Sequence, residues 1–478
     1  MAVAVATALT GAVLAAACTA APVPVEFPDG AGDVVTPAAP DTVGPLRLVG
    51  TELVDATGRT IQLRGINMVR KSAPFWVDPA EARFAEDVAT IRRSGFNAVR
   101  LGVWMAALMP EPGVVDAEYL DQVVRGLDAL AEQDLWVLLD FHQDVFTGMP
   151  DWATLPGTAA LSPTLPGADG AFWGLAYLSP RSMQQWEDLH DQVPVVADGR
   201  SAVDLMGDGV AALATAVADR PNVVGIDLMN EPWPGERFFD CLAGGCGARY
   251  DQLTTIFTEY TERVRAVAPE LPVWWAPYNW GPPFQQQPAP TQSQVGLTFH
   301  SYCLYTDSGE PVQPDAVSNS LCRQVYDGQV AEAHQVGAAW DTPVLLGEFG
   351  ASASPLNTTR LTELADQRRM SWIYWDDNYL RQAPEIVRTD LVRTYPQATA
   401  GDITFQRFEP ASGAFELRYV PDPALVVPSS IVVPTDVYPD GYEVTVTGGS
   451  VSSSPNAGRL SVVADPGAAL VTVQIRRA

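Results

Sequence analysis

From residue 61 onward, short apolar runs alternate with stretches whose apolar positions recur at helical spacing. The runs fall at 61–68, 96–102, 136–142, 223–230, 273–278, 296–302, 343–349 and 371–376, and each reads as a strand. Between them, amphipathic patterns such as 79–94, 116–133 and 250–268 read as helices. Eight strand-then-helix units are the count of a (β/α)8 TIM barrel, so residues 46–395 are assigned to one. Ahead of them, 46–54 and 60 onward flank the turn Asp55-Ala56-Thr57-Gly58, a hairpin expected to plug the barrel bottom. After residue 395 the texture changes. No Trp follows Trp375, period-two alternation sets in, and turn residues recur every 8–12 positions, so 396–478 is expected to be an antiparallel β-sandwich.

The N-terminal end carries a different signal. Residues 2–17 are apolar or small and end at Cys18, too short a run for a membrane span, which needs about 20 residues. Residues 1–18 instead suit a secretory signal peptide, and they resemble a bacterial lipoprotein signal in which Cys18 becomes the lipidated first residue. No basic residue precedes Arg47, although a basic n-region belongs to such signals, so the natural start is expected upstream of Met1. Residues 19–45, rich in Ala, Pro, Thr and Val, read as an extended stalk. The chain is therefore expected to be secreted or anchored to the cell envelope. In that compartment Cys241, Cys246, Cys303 and Cys322 read as disulfides, with sequence proximity favouring Cys241–Cys246 and Cys303–Cys322 over free buried thiols. Their spacing fits no zinc site.

Composition narrows the function. With 478 residues, 47% of them apolar, and with 13 Trp, 14 Tyr and 16 Phe, the chain can bury a large core and is not globally disordered. A net charge of −28 repels phosphate backbones and excludes nucleic acid as a partner. The single lysine, Lys71, follows Arg70 and not a glycine, so a Walker-type nucleotide site is also excluded. Residues 400–478 carry eight acidic and five basic residues, so the tail is closer to neutral than the barrel and could approach a lipid surface, or serve only as a cap.

In a TIM barrel the chemistry gathers at the C-terminal ends of the strands. Those ends hold Lys71, Arg100, His142, Asp144, Asn230, Glu231, His300, Tyr302, Glu348 and Trp375. Two carboxylates, Glu231 and Glu348, belong to the fourth and seventh strands and face each other across an eight-strand ring. That pair is what a retaining glycosidase needs: one protonates the leaving oxygen, the other attacks the anomeric carbon. No metal or organic cofactor enters that chemistry.

Four segments carry a resemblance. Ile226-Asp227-Leu228-Met229-Asn230-Glu231-Pro232 and Leu345-Leu346-Gly347-Glu348-Phe349-Gly350 resemble the acid/base and nucleophile motifs of clan A, glycoside hydrolase family 5. Asn97-Ala98-Val99-Arg100 and Phe299-His300-Ser301-Tyr302 resemble other strand-end motifs of that family, in the same order. Within it the chain is similar to endoglycoceramidases. Residues 67–74 and Phe141-His142-Gln143-Asp144 carry that likeness, with Cys241, Cys246, Tyr302-Cys303 and residues 391–398. The resemblance implies a glycosphingolipid substrate, cleaved between intact oligosaccharide and ceramide, presented at a membrane or micelle surface to a monomeric enzyme.

It further implies a protonated Glu231 as acid/base and Glu348 as nucleophile, its pKa lowered by Arg100 and its oxygen bonded by Tyr302. Asn230 would bind the sugar 2-hydroxyl. Lys71, His142 and Asp144 would hold other hydroxyls, His300 would contact substrate, and Trp375 would stack beneath the ring. Lys71 stands alone where arginine fills every other basic position, which reads either as a site needing a compact three-donor charge or as the chance survival of one lysine. Aromatics Phe172, Trp173 and Tyr177 in the third connection, with Trp233, are expected either to wall an apolar groove beyond Glu231 or to pack onto barrel helices. Two rivals stay open: a family 5 glycosidase acting on glucosylceramide, simple glucosides or polysaccharide, and a non-catalytic carbohydrate-binding barrel.

Overall fold

A computed structural model describes residues 43–165, 173–279, 284–303, 316–351, 355–378 and 390–478. The signal segment with Cys18, the stalk up to residue 42, and Phe172 lie outside the described residues.

Three short strands open the described residues: β1 (Leu46–Val49), β2 (Glu52–Asp55) and β3 (Thr60–Ile61). The barrel follows with β4 (Arg64–Met68), β5 (Ala98–Val103), β6 (Trp136–Phe141), β7 (Val223–Asp227), β8 (Val273–Trp275), β9 (Val295–His300), β10 (Val344–Glu348) and β11 (Ser371–Tyr374). They close in sequence order, each parallel to its neighbours, with β11 pairing back onto β4. Parallel neighbours demand long crossovers, and helices such as Ala82–Arg93, Ala117–Ala131, Ala202–Val217 and Gly247–Val267 supply them. Both faces of such strands are covered, which is why the runs are apolar throughout instead of alternating. Local chemistry sets the helix starts. Asp116 accepts from the backbone N–H groups of Glu118 and Tyr119, and Ser201 with Asp204 forms a reciprocal capping box.

Several expected strands shorten. The first barrel strand begins at Arg64, because Thr60 and Ile61 pair with β2 and β12 (Tyr395–Thr399) instead. The fourth ends at Asp227 and the fifth at Trp275, where the backbone leaves the ladder to present side chains at the mouth.

The hairpin is a three-stranded unit turning first at Gly50 and then at residues 56–59. Leu46, Leu48, Leu53 and Ile61 pack with Leu138, Val224, Trp274 and Leu345 to seal the barrel bottom, as expected of a plug. The tail departs from a self-contained sandwich. Its strands are β12, β13 (Gly401–Glu409), β14 (Ala414–Pro421), β15 (Ser429–Val432), β16 (Tyr442–Thr447), β17 (Gly449–Val451), β18 (Arg459–Ala464) and β19 (Val471–Arg477). One sheet runs β13-β14-β19-β16. The other runs β1-β2-β3-β12-β15-β18-β17 and so incorporates the N-terminal strands. Buried polar contacts fasten tail to barrel: Asp366 accepts from Arg64 at 3.1 Å, Arg393 at 2.6 Å and Gln406 at 3.3 Å.

Candidate active site

At the mouth, buried Arg100 on β5 organises the anions. Its Nη1 donates to Glu348 Oε1 at 2.7 Å and Asn67 Oδ1 at 3.0 Å. Its Nη2 donates to Asp140 at 2.8 Å, Asp227 at 2.8 Å and Asn230 Oδ1 at 2.9 Å. A guanidinium is always charged and offers five donors in a plane, so it can hold several carboxylates where a lysine could not. The three carboxylates compensate the desolvation of that cation and hold its pKa up.

Glu348 stands at the end of β10. Besides Arg100 it accepts from the Tyr302 hydroxyl at 3.1 Å, and His300 Nδ1 lies 3.5 Å from its Oε2. Glycine before it makes this approach feasible. A Cβ at Gly347 would lie 2.5 Å from Thr298 Oγ1 and 3.3 Å from His300 Nε2. Across the mouth, Glu231 follows β7 with φ at 45°, a left-handed backbone that a glutamate adopts only when its surroundings impose it. Gln143 imposes it: its Nε2 donates to the carbonyls of Asn230 at 2.7 Å and Glu231 at 2.9 Å. His300 Nδ1 sits 2.8 Å from Glu231 Oε1. One carboxylate oxygen of Glu231, one of Glu348 and a His300 nitrogen all lie within 4.8 Å of one another. That closeness suits direct attack on a sugar, which needs carboxyls about 5–5.5 Å apart, and leaves no room for the water an inverting enzyme places between them.

Burial, reinforced by the Asp144 charge, lifts the Glu231 carboxyl to about 7. Glu348 departs from expectation. Burial pushes its pKa up on balance, although His300 and Arg100 pull the other way. Glu348 still has the better claim to the negative charge, because Arg100 and Tyr302 each donate to one of its oxygens. Burial drives His300 down to about 4, so it is neutral between the two carboxyls. These three groups also have the spacing to ligate a metal ion, and they are the one such cluster among the described residues.

To one side lies a polar wall. His142 Nδ1 pairs with Asp140 at 2.7 Å, and its Nε2, buried without a hydrogen-bond partner, lies 3.5 Å from Asp144. Burial disfavours an imidazolium there, yet Asp140 and Asp144 outweigh it and raise the pKa to about 9. Lys71 Nζ donates to Asp144 at 2.6 Å and stands 4.5 Å above the Trp375 ring, which stacks on His142. Next to them a hollow of about 560 Å³, part of it open to solvent, is lined by Lys71, Phe75, Trp104 and Asp144.

On the other side a hollow of about 540 Å³, part of it open to solvent, begins at Glu231. Phe284, Phe299 and Tyr278 line it, but so do Asn279, Gln329 and Glu332, so this half is not the purely apolar slot expected. Tyr177 and Trp233 are buried and pack on each other at 4.8 Å, so neither walls an open groove. They belong to a buttress under the Glu231 loop, where His190 Nε2 meets the Trp233 carbonyl at 2.9 Å and Arg249 pairs with Glu187. The expected disulfides, Cys241–Cys246 and Cys303–Cys322, are both present.

All ten strand-end residues named from the sequence meet at this mouth. Asp140, Asp227, Gln143 and Asn67 were not singled out there, yet they hold Arg100 and the Glu231 backbone. An Asp inside an apolar strand is itself a signal, since a buried carboxylate requires a partner. Asp140, two residues before His142, shares its face of the strand.

A closed parallel barrel with a paired, unequally surrounded set of glutamates at its mouth is the constellation of a retaining glycosidase. Residues 54–380 match the cellulase domain of glycoside hydrolase family 5, and 393–475 match the family 5 C-terminal domain. The chain belongs to glycoside hydrolase family 5 and is a retaining O-glycosyl hydrolase, which sets aside a non-catalytic barrel. It is 35% identical to endoglycoceramidase I of Rhodococcus hoagii (strain 103S) over 464 residues, 92% of this chain and 89% of that protein. It is 25% identical to an endoglycoceramidase of Cyanea nozakii over 449 residues, covering 83% and 85% of the two chains. Among solved structures, endo-glycoceramidase II from Rhodococcus sp. superposes with a TM-score of 0.72 at 25% identity, over 89% of this chain and 99% of that one. The same protein has been solved as a lactosyl-enzyme intermediate and as a ganglioside GM3 complex.

Proposed function

We propose that this chain is an endoglycoceramidase-type hydrolase, cutting the β-glycosidic bond between an oligosaccharide and ceramide. Glu348 attacks the anomeric carbon while the bond to the ceramide oxygen breaks, and Glu231 gives its proton to that oxygen. In the second step Glu231, now a carboxylate, takes a proton from water as the water attacks the anomeric carbon and releases Glu348. Asn230 accepts from Arg100 and donates one amide hydrogen to the Gln143 carbonyl, leaving the other for the sugar 2-hydroxyl. Lys71, Asp144 and His142, whose Nε2 lies 3.5 Å from Asp144, are assigned to further hydroxyls, and Trp375 orders Lys71 and His142 against one another.

The observation that carries the reading is that a hollow lined by both rings and polar groups flanks the catalytic pair on each side. The Lys71 side, with charged donors and the rings of Phe75 and Trp104, suits sugar beyond the first ring and so an oligosaccharide, not a lone glucose. The Glu231 side mixes rings with amide and carboxyl groups. Ceramide presents an amide and a hydroxyl within a few bonds of the scissile oxygen, so a leaving-group pocket for it must be polar close in and apolar farther out. Residues 1–18 and Cys18 belong to the same reading as an export and lipidation signal. A mature protein whose mass shows an N-terminus other than acylated Cys18 would remove that part.

The test is incubation with gangliosides, globosides, glucosylceramide and cellulose, with products resolved by mass spectrometry. Intact oligosaccharide plus ceramide is the expected outcome. Release of single sugars, cleavage of cellulose, or equal efficiency on ceramide-free lactosides would leave a family 5 glycosidase of another specificity.

A further inference from the structure

Glu231 reaches the mouth through a backbone turn that a glutamate does not favour, and one buried side chain grips that turn at two successive residues. Gln143 follows β6, the strand beside β7, and is fully buried. Both hydrogens of its amide go to the turn, one to the Asn230 carbonyl at 2.7 Å and one to the Glu231 carbonyl at 2.9 Å. In extended backbone successive carbonyls point to opposite sides, so a single amide reaches both only after the chain has turned between them. The φ of 45° at Glu231 is that turn.

The oxygen of the same amide serves the neighbouring loop. Gln143 Oε1 accepts from the Phe146 N–H at 2.8 Å. Val145 and Phe146 have φ of 52° and 70°, again a left-handed backbone at side chains that do not favour it. The loop that carries Asp144 and the loop that carries Glu231 are therefore fixed to one amide. Glutamine matches the need, with two donors for two carbonyls and an acceptor for an N–H. An ionised glutamate has no donor, and an asparagine ends one methylene short. The Asn230 side chain is held independently: its Oδ1 accepts from Arg100 at 2.9 Å, and its Nδ2 donates to the main-chain carbonyl of Gln143 at 2.9 Å.

We propose that Gln143 is a positioning residue for proton transfer: by pinning the turn at Glu231 it aims that carboxyl at the leaving oxygen. It acts through Glu231 and not on the nucleophile, because Glu348 is held separately by Arg100 and Tyr302. The proposal rests on the reading of Glu231 as acid/base. Its consequence is selective. A leaving group that needs a proton feels the loss of the Gln143 amide, and one that departs as a stable anion does not.

The test uses the full chain as wild type, Gln143→Glu, Gln143→Asn and Glu231→Gln. Each is assayed on lactosylceramide and on dinitrophenyl lactoside, whose phenolate leaves without a proton. For Gln143→Glu, kcat/KM on lactosylceramide should fall at least about a hundredfold, nearly all of it in kcat, while kcat/KM on the dinitrophenyl lactoside changes less than about threefold. Gln143→Asn keeps the amide but sets it back from both carbonyls, and should show the same split at about tenfold. It decides the matter if the buried carboxylate of Gln143→Glu unfolds the chain. Equal losses on the two substrates are what a merely structural residue would give, and they would overturn the positioning role, as would no loss on either. Glu231→Gln separates the two ways of failing. A split in Glu231→Gln that is missing from the Gln143 variants overturns the proposal alone. No split in Glu231→Gln overturns the acid/base reading, and the role of Gln143 falls with it.

Discussion

Replacing Glu231 by glutamine tests its ionisation through stability, separately from turnover. Burial is the main cause that raises its carboxyl to about 7, and Asp144 adds to it. In an unfolded chain a glutamate titrates near about 4.3. The folded state therefore favours the protonated form. Stability linked to this group is fully present below about pH 4.3, declines as the unfolded carboxyl ionises, and is lost once pH passes about 7. The gap corresponds to about 4 kcal/mol at about 1.4 kcal/mol per pH unit. Glutamine keeps the shape and the acceptor facing His300 but cannot ionise, so Glu231→Gln escapes that loss.

The expected result is a variant about 4 kcal/mol more stable than wild type at pH 8 and nearly equal to it at pH 4.5. With an unfolding entropy of about 2 cal/mol/K per residue, a chain of this length converts that to a melting-temperature gain of roughly 4 °C. Scanning calorimetry of both proteins at the two pH values measures it. The basic limb of wild-type kcat/KM should fall near the same pH, since the free enzyme needs that proton. A melting difference equal at pH 4.5 and 8, or a wild type more stable than the variant at pH 8, would refute the reasoning.

Glu348→Gln should lower kcat by at least about a thousandfold while leaving melting and glycolipid binding near wild type; a variant keeping a tenth of the activity would remove Glu348 as nucleophile. Gly347→Ala should push Thr298 and His300 away from Glu348 and reduce kcat about tenfold with less change in KM, and unchanged kinetics would show that the close approach does not matter. Lys71→Met, which removes the donor to Asp144 at the polar wall, should raise KM for an oligosaccharide-bearing glycolipid about tenfold without changing the melting temperature. Replacing Cys303 and Cys322 by serine releases a link spanning 19 residues and should cost about 3 kcal/mol, read as a lower melting temperature; equal melting would mean the loop is already ordered without it.

The barrel was legible because its strands, buried on both faces, read as unbroken apolar runs, and because function sits where those runs end. Strand ends were less legible. At Asp227 the chain stops pairing so that Asn230 can return its N–H to the Phe141 carbonyl, and nothing in the run Leu228-Met229 announces the change. The joining of β3 to β12 pairs Ile61 with Ala398, and such distant edges leave no local mark. Tyr177 shows a different limit: an aromatic in a connection looks the same whether it lines a groove or packs beneath a loop, and only its burial decides. Asp140 and Asp227 were visible as residues but not as partners, because β5, β6 and β7 bring them onto one guanidinium only through barrel closure.

Glu231 keeps its proton because burial and the Asp144 charge outweigh the pull of the cations around it, Arg100 included. Around neutral pH the mouth holds three cations, Arg100, Lys71 and the imidazolium of His142. The anions they meet are Asp140 and Asp144, both held below the usual carboxylate range, and Glu348. The set is balanced. Burial raises the two remaining carboxyls, Glu231 and Asp227, to about 7 against the opposing pull of Arg100. Glycosylation of Glu348 removes one negative charge from this set, and transfer of the Glu231 proton to the leaving oxygen restores one at Glu231. The charge moves across the mouth from one glutamate to the other while the total is unchanged. The first chemical step therefore needs no counter-ion from solvent, and the second, in which Glu231 regains a proton from water as Glu348 is released, runs the same exchange backward.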